Sequence, residues 1–211
     1  MTDDLVLYTN PQSRGRIARW MLEEVGRPYR TEPLAFGTTM KAPSYLAINP
    51  MGKVPAIRHG ETVVTEAAAI CAYLADAFPE TGLAPPVNSP LRGSYYRWLF
   101  FGAGPVEAAV TNRALNFVVP PGRERMAGYG TYDDVLNALE HAVAKGPYLL
   151  GDQFTAADVY LGSAIGWGMM FGTLEKRPAF EAYFGRLAKR PAAVRANEID
   201  NALVEEMAKA G

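Results

Sequence analysis

An α/β half joined through a proline-rich connector to an all-α half is the architecture this sequence predicts. Three observations carry that prediction. As far as Phe78, short apolar runs alternate with helical periodicity in the order β-α-β and then β-β-α. Pro79, Gly82, Pro85, Pro86 and Pro90 then interrupt all periodicity within a dozen residues, as connectors do. Beyond them every periodic segment is helical.

Each element has a local reason. Leu5-Val6-Leu7-Tyr8 is a continuous apolar run, the pattern of a buried strand. Arg14 to Val25 is a helix, with Ile17, Trp20, Met21 and Val25 on one face and Gly26 as the stop. Tyr29 to Leu34 is a second strand, and Pro43 to Ala47 a short helix. Val54 to Ile57 and Thr62 to Val64 flank His59-Gly60, a hairpin signal. Glu66 to Phe78 is an alanine-rich helix. After the connector, Leu91 to Val119 reads as one long aromatic helix bent at Gly102-Ala103-Gly104-Pro105. Tyr132 to Ala144 is amphipathic and stops at Gly146-Pro147. A further helix opens near Thr155, and two more follow Pro178 and Pro191, each proline suiting a first helical turn. Thr155-Ala156-Ala157-Asp158 is a capping box, with Phe154 and Val159 placed to staple across it. The expected boundaries are 1–80 for the α/β half and 90–211 for the helical half.

Composition narrows the function classes. The chain has 211 residues, a formal net charge of -1 and 49% hydrophobic residues, enough to build a core. Near-neutral charge argues against a nucleic-acid partner, which needs a basic surface. No apolar run is long enough to span a bilayer. The start Met1-Thr2-Asp3-Asp4 is acidic and unlike a leader peptide. The single cysteine, Cys71, allows no internal disulfide and no cysteine-rich metal site, so a reducing, cytoplasmic setting is expected.

The chemistry concentrates in Asn49-Pro50-Met51-Gly52-Lys53-Val54-Pro55-Ala56-Ile57 and in Thr65-Glu66-Ala67. A proline belongs at a strand edge or a strand start. A cis Val54–Pro55 bond would present the Val54 amide and carbonyl to an extended peptide backbone. Glu66 at a helix start would hold a positive amine, beside helix amides that suit a carboxylate. An amino acid or short peptide fits such a site better than a nucleotide does.

Taken in order with the connector and with Gly151-Asp152-Gln153-Phe154-Thr155-Ala156-Ala157-Asp158, these motifs resemble the cytosolic glutathione transferase family, in its bacterial, serine-type form. The resemblance covers nearly the whole chain. It implies a thioredoxin-like domain, a helical domain, a homodimer, and glutathione as co-substrate along the Val54–Pro55 edge. It also implies detoxification chemistry: the glutathione thiolate adds to a small apolar electrophile, with no metal. Two rivals are a glutathione-dependent disulfide or peroxide reductase and a non-catalytic scaffold on the same fold.

Residue by residue, the loop from Tyr8 to Arg16 is where the resemblance places the group that favours the thiolate. Ser13 is the first candidate, as helix cap or as donor to the sulfur. The ambiguous loop length keeps Asn10 and Gln12 as alternatives. Tyr8 lies inside the apolar run and reads as core. Cysteine-type members carry a cysteine in this loop and this chain does not; Cys71 reads as a small buried side chain. Lys41 and Lys53 are candidates for the glycine carboxylate of glutathione. Glu66 is the candidate partner of the γ-glutamyl amine. Ala67 replaces the family's frequent serine, leaving its backbone amide to serve. Arg14 and Arg16 would pair with acids across a dimer interface or stand solvated, and His59 and His141 have no catalytic or metal assignment. Tyr96, Phe100, Phe101, Pro105, Trp167 and Met170 are candidates for the electrophile pocket, expected between the halves.

Overall fold

Alternation of short strands and helices in the first half builds a four-stranded mixed sheet in the computed structural model of the chain, which describes residues 4–210. The opening residues Met1-Thr2-Asp3 lie outside the described residues. The strands are β1 (Leu5–Thr9), β2 (Arg30–Pro33), β3 (Ala56–His59) and β4 (Thr62–Thr65), in spatial order β2-β1-β3-β4. β2 runs parallel to β1, with α1 in the connection between them, while β3 pairs antiparallel with β1 and β4 antiparallel with β3. β1 is buried along its whole length, as its unbroken apolar run requires. Helix α1 (Gly15–Val25) ends on Gly26 at φ 70°, a left-handed C-terminus that glycine adopts without strain. A short helix α2 (Pro43–Leu46) and helix α3 (Ala67–Ala77) complete this part.

The helical part comprises α4 (Leu91–Phe101), α5 (Glu107–Ala114), α6 (Tyr132–Val143), α7 (Ala156–Phe171) and α8 (Pro178–Leu187), and α9 (Pro191–Ala210) closes the chain. The bend expected at 102–105 is a single π-helical segment, Gly102–Val106, containing Pro105. Proline cannot donate to the helical ladder, and a widened turn absorbs the missing bond. The same stretch corrects the expected helix to Val119: α5 stops at Ala114, before Pro120, and residues 116–119 are not helical.

Two compact units emerge, residues 4–81 with 189–210, and residues 82–188. Helix α9, at the end of the helical part drawn from sequence as 90–211, groups with the first unit. Ala192, Ala193, Ala196 and Asp200 form its buried stripe, at helical spacing. Asp200 pairs with Arg19 of α1 at 2.7 Å, both nearly inaccessible. Arg190 grips Glu24 through two bonds of 2.7 and 2.8 Å. A buried ion pair adds little net stability of its own, but it admits one geometry and so fixes how α9 lies on α1.

The second unit is organised by the predicted capping box. Asp158 is fully buried and accepts from the Thr155 amide (2.9 Å), the Leu149 amide (2.8 Å) and the Tyr183 hydroxyl (2.8 Å). One carboxylate thus ties the start of α7 to the preceding loop and to α8. Phe154 packs edge-on against Tyr148. A Cβ at Gly162 would fall 2.3 Å from Leu187 and one at Gly166 2.2 Å from Phe184, so these glycines let α8 approach α7 closely. No helix among the described residues is long and apolar enough to cross a membrane.

Candidate active site

Strand register brings the predicted site residues of the first unit to one end of the sheet. Thr9 pairs with Pro33, Tyr8 with Ala56, and Ala56 with Thr65. The last residues of β1, β2 and β4 and the first of β3 therefore share one edge. From that edge leave the 10–14 loop, the segment carrying Lys41, the arriving Lys53-Val54-Pro55, and Glu66. Pro55 does not sit within a strand, as the expected Val54–Ile57 strand had it. The ladder starts at Ala56, and the Val54–Pro55 bond just before it is cis.

The 10–14 loop is a closed hydrogen-bond network. Asn10 is 3% exposed; its Nδ2 donates to the Leu34 carbonyl (2.8 Å) and its Oδ1 accepts from the Gln12 amide (2.9 Å). Asn10 thus braces the loop against the chain leaving β2. Ser13 is half-buried; its hydroxyl donates to the Asn10 carbonyl (2.7 Å) and accepts from the Gly15 amide (2.9 Å). It caps the first turn of α1 without occupying the formal cap position, which Arg14 holds. The amides of Gln12, Ser13, Gly15, Arg16 and Ile17 are all engaged within the chain. The Ser13 hydroxyl can rotate away from its acceptor, and Gln12 has an exposed side chain. Gly15 is required sterically, since a Cβ there would lie 1.9 Å from Thr9 Oγ1.

Tyr8 belongs to the core with Met40, Tyr45 and Ala56, and its ring lies 5.8 Å from that of Tyr45. The Asn49-Pro50-Met51-Gly52 motif is a built turn. Asn49 Oδ1 accepts from the Met51 amide (3.1 Å), while its Nδ2 (2.8 Å) and the Tyr45 hydroxyl (2.6 Å) both donate to the Lys53 carbonyl. Burial pushes the Tyr45 hydroxyl up to about 12, so it remains a donor. Two buried donors on one carbonyl orient the peptide that leads into Val54. Gly52 at φ 56° completes the turn. The sequence reading missed Tyr45 and Asn49 as positioning residues; an asparagine opening Asn-Pro-x-Gly is the signal that could have found Asn49.

Lys41 and Lys53 are exposed, and Lys41 Nζ donates to the Met51 carbonyl at 2.9 Å. Glu66 stands exposed immediately before α3, at φ 66° and ψ 121°, with no side-chain cap bond. That left-handed backbone is costly for a residue bearing a Cβ, and such outliers gather at binding sites. Ala67 is buried as the first helical residue. Cys71 is fully buried, and burial pushes its thiol well above the ordinary range, away from reactivity. His59 Nδ1 lies 3.0 Å from the Tyr73 hydroxyl, and His141 sits in the last turn of α6. Arg16 has neutral partners within the chain: the Pro11 carbonyl, Asn197 and Asn201. Arg16 is therefore held by bonds within its own chain and is not simply solvated.

In the second unit, Tyr96, Phe100 and Met170 are 41%, 73% and 66% exposed, so they are surface rather than core. Phe101, Pro105 and Trp167 are half-buried. A depression of about 490 Å³ in the same unit lies between the end of α6 and α8, lined in part by Lys145, Pro147 and Arg186, and holds none of the predicted site residues.

A mixed β2-β1-β3-β4 sheet with a braced strand-to-helix loop, a cis-proline and an acid-led helix at one end defines a thioredoxin-like unit, here followed by a helical unit. Residues 14–77 match the N-terminal domain of glutathione S-transferases, and residues 114–191 match their C-terminal domain. Glutathione S-transferase GstA of Escherichia coli O157:H7 is 31% identical over 164 residues, 77% of this chain and 78% of that protein. A glutathione transferase from Methylococcus capsulatus superposes with a TM-score of 0.78 at 31% identity, covering 94% of this chain and 99% of that one. A sphingomonad glutathione S-transferase solved with glutathione superposes at 0.76 and 28% identity, over 93% and 98% of the two chains. The chain belongs to the glutathione S-transferase family and is a transferase of that class.

Proposed function

We propose that glutathione lies across the end of the sheet, with its γ-glutamyl amine at Glu66 and its sulfur at the 10–14 loop. The observation that carries this reading is a match of span. Two strand spacings separate β1 from β4, about 10 Å at about 4.8 Å each. An extended tripeptide covers about the same length, at roughly 3.3–3.6 Å per residue. Between these ends, Val54 lies just outside the ladder, where its backbone can pair with the ligand. Lys41 and Lys53 serve the glycine carboxylate, and the Ala67 amide adds a donor at the start of α3. The sphingomonad relative, solved with glutathione, supports the same ligand here.

The reaction follows from the thiol. Its pKa of about 8.5 leaves only a few per cent as thiolate at neutral pH. Ser13 donates its hydroxyl proton as a hydrogen bond to the sulfur, and the start of α1 adds its partial positive charge. The thiol proton leaves to solvent. The thiolate then forms a carbon–sulfur bond to an electrophilic carbon, and the bond to the leaving group breaks with its electron pair. The exposed Tyr96, Phe100 and Met170 support a small apolar electrophile. The homodimer and cytoplasmic setting expected from the resemblance are part of this proposal.

Titration calorimetry with glutathione, combined with rates on an aryl halide and on a small disulfide, tests the reading. Binding with turnover of the halide is the expected result. Faster turnover of the disulfide makes the protein a reductase, and no binding at millimolar glutathione makes it a scaffold.

A further inference from the structure

We propose that the C-terminal helix shapes the sulfur-facing loop through one side chain, with Arg16, Asn197 and Asn201 as positioning residues for the reaction. This rests on the glutathione reading above. The peptide unit between Pro11 and Gln12 is held at both ends: its carbonyl accepts from Arg16 Nε, and its N–H donates to Asn10 Oδ1 at 2.9 Å. A peptide is a rigid plane, so any tilt breaks one bond or the other. The next residue is Ser13, whose hydroxyl position follows from that plane.

Arg16 in turn is oriented from α9. Its guanidinium is a planar fork of donors. Nε faces the loop, while Nη1 and Nη2 reach Asn197 Oδ1 (3.4 Å) and Asn201 Oδ1 (2.9 Å). Those two asparagines stand four residues apart, on one face of the helix. α9 cannot easily shift beneath them, because Asp200–Arg19, Arg190–Glu24 and Arg195–Glu23 tie it to α1. The acceptors are therefore fixed relative to the helix that bears Arg16. The three hydrogen-bond acceptors of Arg16 are neutral carbonyl oxygens, which set its orientation, while the nearby Asp200 carboxylate adds charge attraction. Without the two asparagine acceptors the attraction of Asp200 remains but no longer orients the planar fork, and the Pro11 carbonyl loses its oriented donor. Small errors in placing a catalytic group carry large rate penalties.

Asn197→Ala with Asn201→Ala is the decisive variant. Both side chains are exposed, so thermal stability should change little. The result expected is faster hydrogen exchange at the Gln12 amide without ligand. With glutathione bound, the thiol pKa should rise and kcat should fall roughly threefold to tenfold, while KM for glutathione stays near its original value. Asn201→Asp keeps an acceptor and should restore both readouts when Asn197 is intact. Arg16→Lys keeps the charge, loses the fork, and should behave like the double variant. Unchanged exchange at Gln12 overturns the proposal, as does faster exchange with an unaltered thiol titration or a fully active Arg16→Lys. An original protein with no bound thiolate signal overturns the glutathione reading instead, and the ligand-free exchange still decides whether α9 holds the loop.

Discussion

Replacing Ser13 by Ala separates capping from catalysis, and the structure sets the size of each effect. The hydroxyl donates to the Asn10 carbonyl at 2.7 Å and accepts from the Gly15 amide at 2.9 Å. Losing both bonds costs about 1–2 kcal/mol of stability, at about 1 kcal/mol for each. For a chain of this size that lowers Tm by about 2–4 °C per kcal/mol. The catalytic effect is separate. To serve a thiolate, the proton must leave the Asn10 carbonyl, but that oxygen still accepts from the Ser13 amide at 3.1 Å and is not orphaned. The exchange trades a neutral bond of about 1 kcal/mol for a charge-assisted one of about 1.5–3 kcal/mol. Its net of about 1 kcal/mol corresponds to about 0.7 of a pKa unit. The Gly15 amide continues to donate to the same oxygen and polarises the hydroxyl further. Titrating the ultraviolet absorbance of bound thiolate should therefore show a rise of about 0.5–1 pKa unit in Ser13→Ala, with glutathione affinity nearly unchanged. A lower Tm with an unmoved thiol pKa would show that Ser13 is a cap alone. A matching rise in Gln12→Ala would transfer the donor role to Gln12.

Three further outcomes are expected. Glu66→Gln should weaken glutathione binding by about 1 kcal/mol, the scale of an exposed charge pair, with Tm unchanged because the side chain makes no cap bond; calorimetry reads it, and unaltered affinity would make Glu66 an ordinary surface acid. Asp158→Ala should cost about 3–5 kcal/mol in guanidinium unfolding, because the Leu149 and Thr155 amides and the Tyr183 hydroxyl lose a buried acceptor; a loss under about 1 kcal/mol would refute its organising role. Tyr45 and Tyr29 are both pushed up to about 12, by burial and, for Tyr29, by its bond to Glu23 as well. Since unfolded tyrosine titrates near 10, their contribution is complete below about pH 10 and is lost as pH rises toward about 12. Phenylalanine at both positions should flatten that alkaline loss, followed as the denaturant midpoint against pH.

Much of the fold was legible because its signals are local. The apolar run of β1, the helical spacing ending at Gly26, the His59-Gly60 hairpin and the Thr155–Asp158 box each lie within a few residues, and periodicity and capping act at that range. Where local signals were weak the reading slipped. Residues 115–119 look as apolar as a helix, yet α5 ends before them. Pro55 was placed in the strand that it immediately precedes. In the site, Val54, Pro55 and Glu66 stood out as types at a spacing, whereas the bracing role of Asn10 and the grip of Tyr45 and Asn49 on Lys53 did not. Those depend on which carbonyl a side chain reaches once the strands are paired.

By itself the sequence determined two halves, the order of their elements, the caps and turns that start and stop them, and the Asn49–Ile57 and Thr65–Ala67 motifs of the candidate site. Tertiary structure alone decided that β1, β3 and β4 present their site-bearing ends together, and that α9 returns to α1. Register aligns segments about fifty residues apart, and the Arg19–Asp200 pair joins residues 181 apart. No pattern along the chain records either pairing, because the energy that selects it exists only once both partners leave water for the same interior.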